Sequence, residues 1–460
     1  MSTFLILLVI LGLGAIAWLS ARAKAAAFAT AGGPRLHSRP GYHGWFVALA
    51  AVIPALVFLL LWGFVAGPLA DQSTLASMDP SLIPADETAR ANLMAEARAL
   101  EAGEIAAPFN PQASVLAPAY AGARTFYGWL GFGIALLIAF AAGAWAFTRL
   151  SPTFRARTRV ERIVMAVLLS ASLVAILTTV GIIASVLFES IRFFSMVSPT
   201  EFLFGLNWSP QIAIRADQAG SSGAFGAIPL FWGTIFIGAI IAMSVAIPLG
   251  LMSAIYLTQY ARPKVRSWVK PILEILAGVP TVVYGYFAAL TVAPWIRDFA
   301  MAIGIPSSTE SALAAGLVMG IMIIPFVSSM ADDALAAVPQ AMRDGSLAMG
   351  ATKSETIKKV LVPAALPGVV GGVLLAVSRA IGETMIVVMA AGLAANLTAN
   401  PFDSVTTVTA QIVQLLTGDQ EFDSPKTLAA FALGLVLFLV TLALNIVALR
   451  VVKKYREAYE

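Results

Sequence analysis

Apolar residues run almost without interruption for about 20 positions at a time along this chain, the length that carries an α-helix across about 30 Å of hydrocarbon. Nine such runs predict nine helices: Phe4 to Leu19, Trp45 to Val65, Gly128 to Phe147, Ile163 to Phe188, Ile228 to Leu257, Pro271 to Ile296, Ala312 to Ala331, Pro367 to Leu393 and Leu428 to Val451. A backbone in lipid must satisfy its own hydrogen bonds, and a helix does so. The first run is short, and Ala21-Arg22-Ala23-Lys24-Ala25-Ala26-Ala27 behind it fits a signal-peptidase site. Met1-Ser2-Thr3-Phe4 supplies no basic side chain for a signal-peptide n-region, however, so a retained helix is expected.

Between the runs, residues 66–127 form one sizeable segment rich in proline (Pro68, Pro80, Pro84, Pro108, Pro111, Pro118). A helix is expected to start near Asp86, with Leu93, Ala97 and Leu100 along one packing stripe. The basic stretch Arg155-Ala156-Arg157-Thr158-Arg159 separates three runs from six, which predicts an N-terminal extension over 1–155 and a core over 156–460. Gly316-x-x-x-Gly320 and Gly368-x-x-x-Gly372 permit close helix approach. Leu276-Ala277-Gly278-Val279-Pro280-Thr281 puts Gly and Pro inside a run; the span there either lines a path or carries a packing kink.

Composition agrees with lipid as the solvent. Of 460 residues, 59% are hydrophobic and 12% charged, about half the charge density of a soluble domain, and mean hydropathy is +0.86. The absence of Cys excludes disulfides, thiolate metal sites and cysteine nucleophiles, and two histidines, His37 and His43, leave little imidazole chemistry. An enzyme, a resident metal or a cofactor is therefore not expected. Charge placement gives orientation. With alternating spans, one set of loops carries 21 Lys and Arg and the opposite set 7, so the positive-inside rule places the C-terminus in the cytoplasm and the N-terminus outside; with no organellar transit signature, a bacterial inner membrane is expected.

The longest cytoplasmic loop, 332–366, reads as a polar helix, a break at Gly350, a second helix and a stop at Pro363. Such an element suits docking into a groove of a soluble partner; a membrane-surface connector is the alternative. Gly345-x-x-x-x-Gly350 has the glycine spacing of a phosphate-binding loop, but the lysine, Lys353, is displaced by two positions and no strand precedes it, so the chain is not expected to bind ATP. Few charges lie within the runs. Lys270 and Glu274 are four apart near a span end and are expected to pair. Arg379 and Glu383 are deeper, also four apart, and at about 2.5–3.5 kcal/mol for a charge at a helix centre they are expected to serve transport or to form a structural pair.

The loop resembles the membrane permease subunits of bacterial ABC importers. Their signature is Glu-Ala-Ala, three residues, Gly, nine residues, Ile-x-Leu-Pro, and Asp344-Gly345-Ser346, Gly350, Val360, Val362 and Pro363 fall on it with every spacing intact. Gly345 replaces Ala, a change of about 1 kcal/mol against helix. Leu276 to Gly285 and Arg379-Ala380-Ile381-Gly382-Glu383-Thr384-Met385 look like the phosphate-specific permease of the PstC type. The resemblance covers Arg159 to Glu460; the N-terminal part looks like an extension found in some of these permeases. It implies an all-α polytopic protein with a six-helix permease core and a three-helix extension. It also implies a second related permease, a cytoplasmic ATPase dimer and a periplasmic phosphate-binding protein, and no nucleic acid. On this reading Arg379 faces the anion, Glu383 competes for its guanidinium, and Ser378 and Thr384 add donors. The rival is an ion-coupled secondary transporter or channel for a small anion, using Arg379 and Glu383 as a coupling pair.

Overall fold

A computed structural model describes residues 3–30, 36–78, 83–84, 86–212, 222–417 and 424–456. Pro80, the basic residues Arg35 and Arg215, and the C-terminal residue Glu460 lie outside them. The chain folds into two compact units, Met1–Leu177 and Thr178–Glu460.

The first unit is built from α1 (Thr3–Thr30), α2 (Pro40–Ala76), α3 (Glu87–Ala102), α4 (Pro111–Thr148) and the first half of α5 (Ala156–Met196). Small residues govern its packing: Ile10, Ala55, Ala135 and Ala139 are buried where α1, α2 and α4 meet. At 37 and 38 residues, α2 and α4 are about 55 Å long, well beyond a bilayer's hydrocarbon. Much of the segment expected as Pro-rich exterior chain is thus helix, with Pro68 and Pro118 inside α2 and α4. Helix α3 starts as its sequence dictates: the Asp86 side chain accepts a hydrogen bond from the Ala89 N–H, and Leu93, Met94 and Ala97 are buried. It packs through Ala70 on α2 and through Ala113, Leu116 and Tyr120 on α4.

The second unit continues from α5 through α6 (Pro199–Phe204) and a hairpin of β1 (Trp208–Ile212) and β2 (Ser222–Phe225), paired antiparallel. Next come α7 (Ile228–Thr234) and α8 (Met243–Ile255), which with π-turns at Ile235–Ala242 and Tyr256–Tyr260 form one apolar helix. The elements α9 (Pro263–Gly278), α10 (Thr281–Phe287), α11 (Ala293–Ala302) and α12 (Ala312–Ala336) follow. Helix α12 is the axis of the core, with Gly316 against Ile241 and Gly320 against Ala242 and Val245, so this small-xxx-small pair does bring backbones together. The chain ends with α13 (Gln340–Ala348), α14 (Lys353–Thr356), α15 (Val362–Ile381), α16 (Met385–Ala390), α17 (Val408–Leu416) and α18 (Pro425–Arg456).

Eight helices among the described residues are long and apolar enough to span a membrane, and the bent pair Pro263–Gly278 and Thr281–Ala302 makes a ninth. The protein is an all-α multi-pass membrane protein. Three expected elements differ in shape. The run Pro271 to Ile296 is no straight span: α9 and the α10–α11 helix meet at 87°. Val279, ahead of Pro280, takes the extended conformation (φ −66°, ψ 130°) that a following proline favours, and the Tyr284 hydroxyl donates to the freed Leu276 carbonyl at 2.8 Å. The run Pro367 to Leu393 is likewise divided, because α15 ends at Ile381 and α16 begins at Met385. Finally, Pro363 does not stop a helix. Residues Lys353–Ile381 are one helix, and a π-turn at Ile357–Leu361 precedes Pro363, which sits in the first turn of α15, where its missing N–H is tolerated.

Candidate translocation path and coupling surface

Helix α12 carries the polar residues that sequence reasoning passed over. Ser328, Ser329 and Asp332 lie three, four and seven residues after Pro325 and share one stripe with it; Asp333 is the helix's other charged residue. That stripe lines a cavity of ≈ 250 Å³, completed by Lys270, Glu274 and Ala277 on α9, by Phe326, and by Arg379 at the end of α15. At its edge Asp332 is buried and accepts from Arg266 Nη2 through both oxygens, at 3.0 and 3.1 Å, and from Lys270 Nζ at 2.7 Å. The expected Lys270–Glu274 pair does not form: Lys270 reaches across to Asp332, which offers a buried carboxylate, while Glu274 stays exposed on α9. The signal is the spacing of Asp332 behind Ser328, which a loop beginning at residue 332 conceals.

Arg379 is exposed, 5.7 Å from the centroid of the Phe326 ring, and no ion pair engages it among the described residues. The expected contact with Glu383 is absent because α15 ends between them and the i, i+4 rule requires a continuous helix. Glu383 instead holds the break. Its Oε1 accepts from the Met385 N–H at 3.2 Å, and its main-chain carbonyl accepts from the Thr409 hydroxyl at 2.7 Å, satisfying groups that the interruption would leave unpaired in lipid. Ser378 is half-buried, and the Thr384 hydroxyl turns back to the Gly382 carbonyl at 3.3 Å. Neither lines the cavity with Arg379; the hydroxyls that do are Ser328 and Ser329.

The loop between α12 and α15 presents a second surface. No residue of α13 is buried. Asp344 and Gly345 are exposed on it, while the Ser346 hydroxyl lies 2.9 Å from that of Thr356 and braces α13 against the next helix. Gly350 has φ +83°, a left-handed conformation that turns the chain sharply after α13. Thr352 then opens the next helix with a capping box: it accepts from the Glu355 N–H while the Glu355 carboxylate accepts from the Thr352 N–H. Val360 and Val362 are half-buried at the foot of α15, and Pro363 is exposed. Leu347 and Met349 stand out at 44% and 89% exposure, an apolar edge on a polar helix. Among the described residues, no group of three or more His, Asp or Glu side chains could hold a metal ion.

Residues 246–457 match the family described as binding-protein-dependent transport system inner membrane component, and residues 6–178 match one described as phosphate ATP-binding cassette transporter. The probable ABC transporter permease protein YqgH of Bacillus subtilis is 33% identical over 245 residues, 53% of this chain and 75% of that protein. The probable phosphate transport system permease protein PstC of Methanocaldococcus jannaschii is 31% identical over 255 residues, 53% and 80% of the two chains. The phosphate transport system permease protein PstC 1 of Mycobacterium tuberculosis is 29% identical over 278 residues, 55% and 81%. Among solved structures, a bacterial ABC transporter involved in the import of the acidic polysaccharide alginate aligns with a TM-score of 0.43 at 12% identity, covering 64% of this chain and 98% of the other. With the spacing of the loop between α12 and α15, the helical core and these relatives together, the chain belongs to the ABC importer permeases of the PstC type, the membrane subunit rather than the ATPase.

Proposed function

We propose that this permease moves inorganic phosphate inward along a path lined by Arg379. The observation that carries the reading is that Arg379 reaches the cavity between α9, α12 and α15 with no carboxylate paired to it among the described residues, whereas Arg266 and Lys270 share Asp332. A guanidinium offers two parallel hydrogen bonds to an oxyanion, and Ser328 and Ser329 can add neutral donors. Relatives named as phosphate permeases and the phosphate-transporter family over the N-terminal unit support the choice of anion. The exposed face around Arg379 belongs against a second, related permease, so that the two chains enclose the path. Helix α13 docks on a cytoplasmic ATPase dimer, and a periplasmic phosphate-binding protein delivers the anion from the opposite side. Residues 1–155 act as an extension of the 156–460 core.

Arg379→Gln tests the assignment. In a complex assembled with its ATPase, the variant should lose phosphate uptake while the amount of complex recovered stays the same. Normal uptake by a fully assembled Arg379→Gln complex would remove Arg379 from the path.

A further inference from the structure

The first unit holds a cavity of its own, ≈ 940 Å³, between α2 and α4. It opens where α1 gives out: Ile6 and Leu7, in the first turns of α1, close one end, and beyond them α2 and α4 continue as a pair. Its walls are apolar and aromatic. Trp62 is seated by the absent side chain of Gly131, since a Cβ there would overlap the indole, and its Nε1 donates to the Tyr127 carbonyl at 3.1 Å. At the rim, Arg124 Nη1 and Glu101 Oε2 form an ion pair at 2.6 Å, both residues lining the cavity.

The depth of that rim follows from helix geometry. Near the other end of α4, Lys24 Nζ donates to the Phe147 carbonyl at 3.0 Å, which marks one polar boundary. From residue 147 back to residue 124 is 23 residues of continuous helix, about 35 Å at 1.5 Å per residue. That is slightly more than the hydrocarbon thickness of about 30 Å. The Arg124–Glu101 pair therefore lies at the opposite headgroup level, with the cleft and its aromatic walls reaching from there into the leaflet, where interfacial aromatic side chains collect.

We propose that this cleft is a binding site for a phospholipid with a zwitterionic ethanolamine headgroup, its phosphate on Arg124, its ammonium on Glu101, and its acyl chains in the cleft. The walls away from the rim, Leu56, Leu59, Leu60, Trp62, Trp129 and Phe132, fit hydrocarbon. The rim supplies both signs of charge side by side, the pattern of a zwitterion, whereas an anionic headgroup without a cation would meet the Glu101 carboxylate. Nothing in this site depends on the transported substrate.

The test measures co-purified lipid. The full-length chain is extracted in mild detergent from membranes containing phosphatidylethanolamine and phosphatidylglycerol, and bound lipid is identified by native mass spectrometry. Phosphatidylethanolamine should be retained in preference to phosphatidylglycerol. Gly63 and Gly67 line the cleft, and a side chain added at either meets nothing within 4 Å, so Gly63→Leu with Gly67→Leu fills the space without disturbing the helices. That variant should retain lipid about tenfold less, with unchanged circular dichroism and thermal melting. Glu101→Gln, which leaves Arg124 uncompensated, should shift the preference toward phosphatidylglycerol. Equal retention of both lipids by the natural chain, undiminished lipid in the filled variant, or a cleft occupied by a segment of another protein would each overturn the proposal.

Discussion

Two cations, Lys270 and Arg379, border the cavity between α9, α12 and α15, and Arg266 joins Lys270 on Asp332. Arg266 and Lys270 are both held by Asp332, so their charge is spent on tying α9 to α12, while Arg379 lies over the face of Phe326 and makes no ion pair among the described residues. Asp332 is 8% exposed but its partners are 40% and 37% exposed, so the pair lies between the surface value of about 0–1 kcal/mol and the 3–5 kcal/mol for breaking a buried one. Asp332→Asn should therefore lower the stability of the purified protein by about 1–3 kcal/mol, read as an earlier thermal transition; an unchanged transition would mean that the triad contributes nothing. Glu383 is expected to work through geometry rather than charge. Glu383→Gln keeps an oxygen for the Met385 N–H and should transport at near the natural rate, whereas Glu383→Ala removes the acceptor and should slow it. A large loss in both would restore a role for the carboxylate charge. Spacing makes Lys270, Arg379 and Glu383 visible in the sequence but not Asp332, and pairing depends on where a helix ends. Neither the stop after Ile381 nor the reach of Lys270 to Asp332 is a local property.

Helix α13 and the helix after it are positioned by short-range features. The turn at Gly350 requires φ +83°, and in that region a side-chain-bearing residue costs about 1–2 kcal/mol. Gly350→Leu should leave membrane insertion intact and reduce ATPase-coupled transport, as checked by comparing expression with uptake. Insertion failing along with transport would mean that the turn is needed for folding instead. Ala348 is exposed at the end of α13, whereas Ser346 is engaged with Thr356. Ala348→Cys in this Cys-free chain is therefore the informative crosslinking position. Crosslinks to the ATPase are expected, and crosslinks to lipid alone would contradict docking. The break at Gly350 is legible in the sequence because glycine's backbone freedom is a local property. The uninterrupted helix through Pro363 was not, because the π-turn that precedes it depends on how Ile357 and Leu361 pack against Ala331 and Leu335.

At the scale of the whole molecule, the hydrophobic runs were enough to expose a polytopic helical protein, since lipid permits few alternatives. They could not separate a straight span from one bent by 87°, because apolar length is the same in both. The 21-to-7 distribution of basic residues predicts that alkaline phosphatase fused at residue 100 is active and at residues 30, 155 and 350 inactive; activity at 350 would invert the topology. The central claim is ATP-driven phosphate import, and reconstitution tests it most directly. The chain, its partner permease and the ATPase are placed in liposomes with the binding protein outside, and labelled phosphate uptake is followed with and without internal ATP. Uptake should require ATP, the ATPase and Arg379 together. Accumulation driven by an ion gradient in the absence of the ATPase would contradict it.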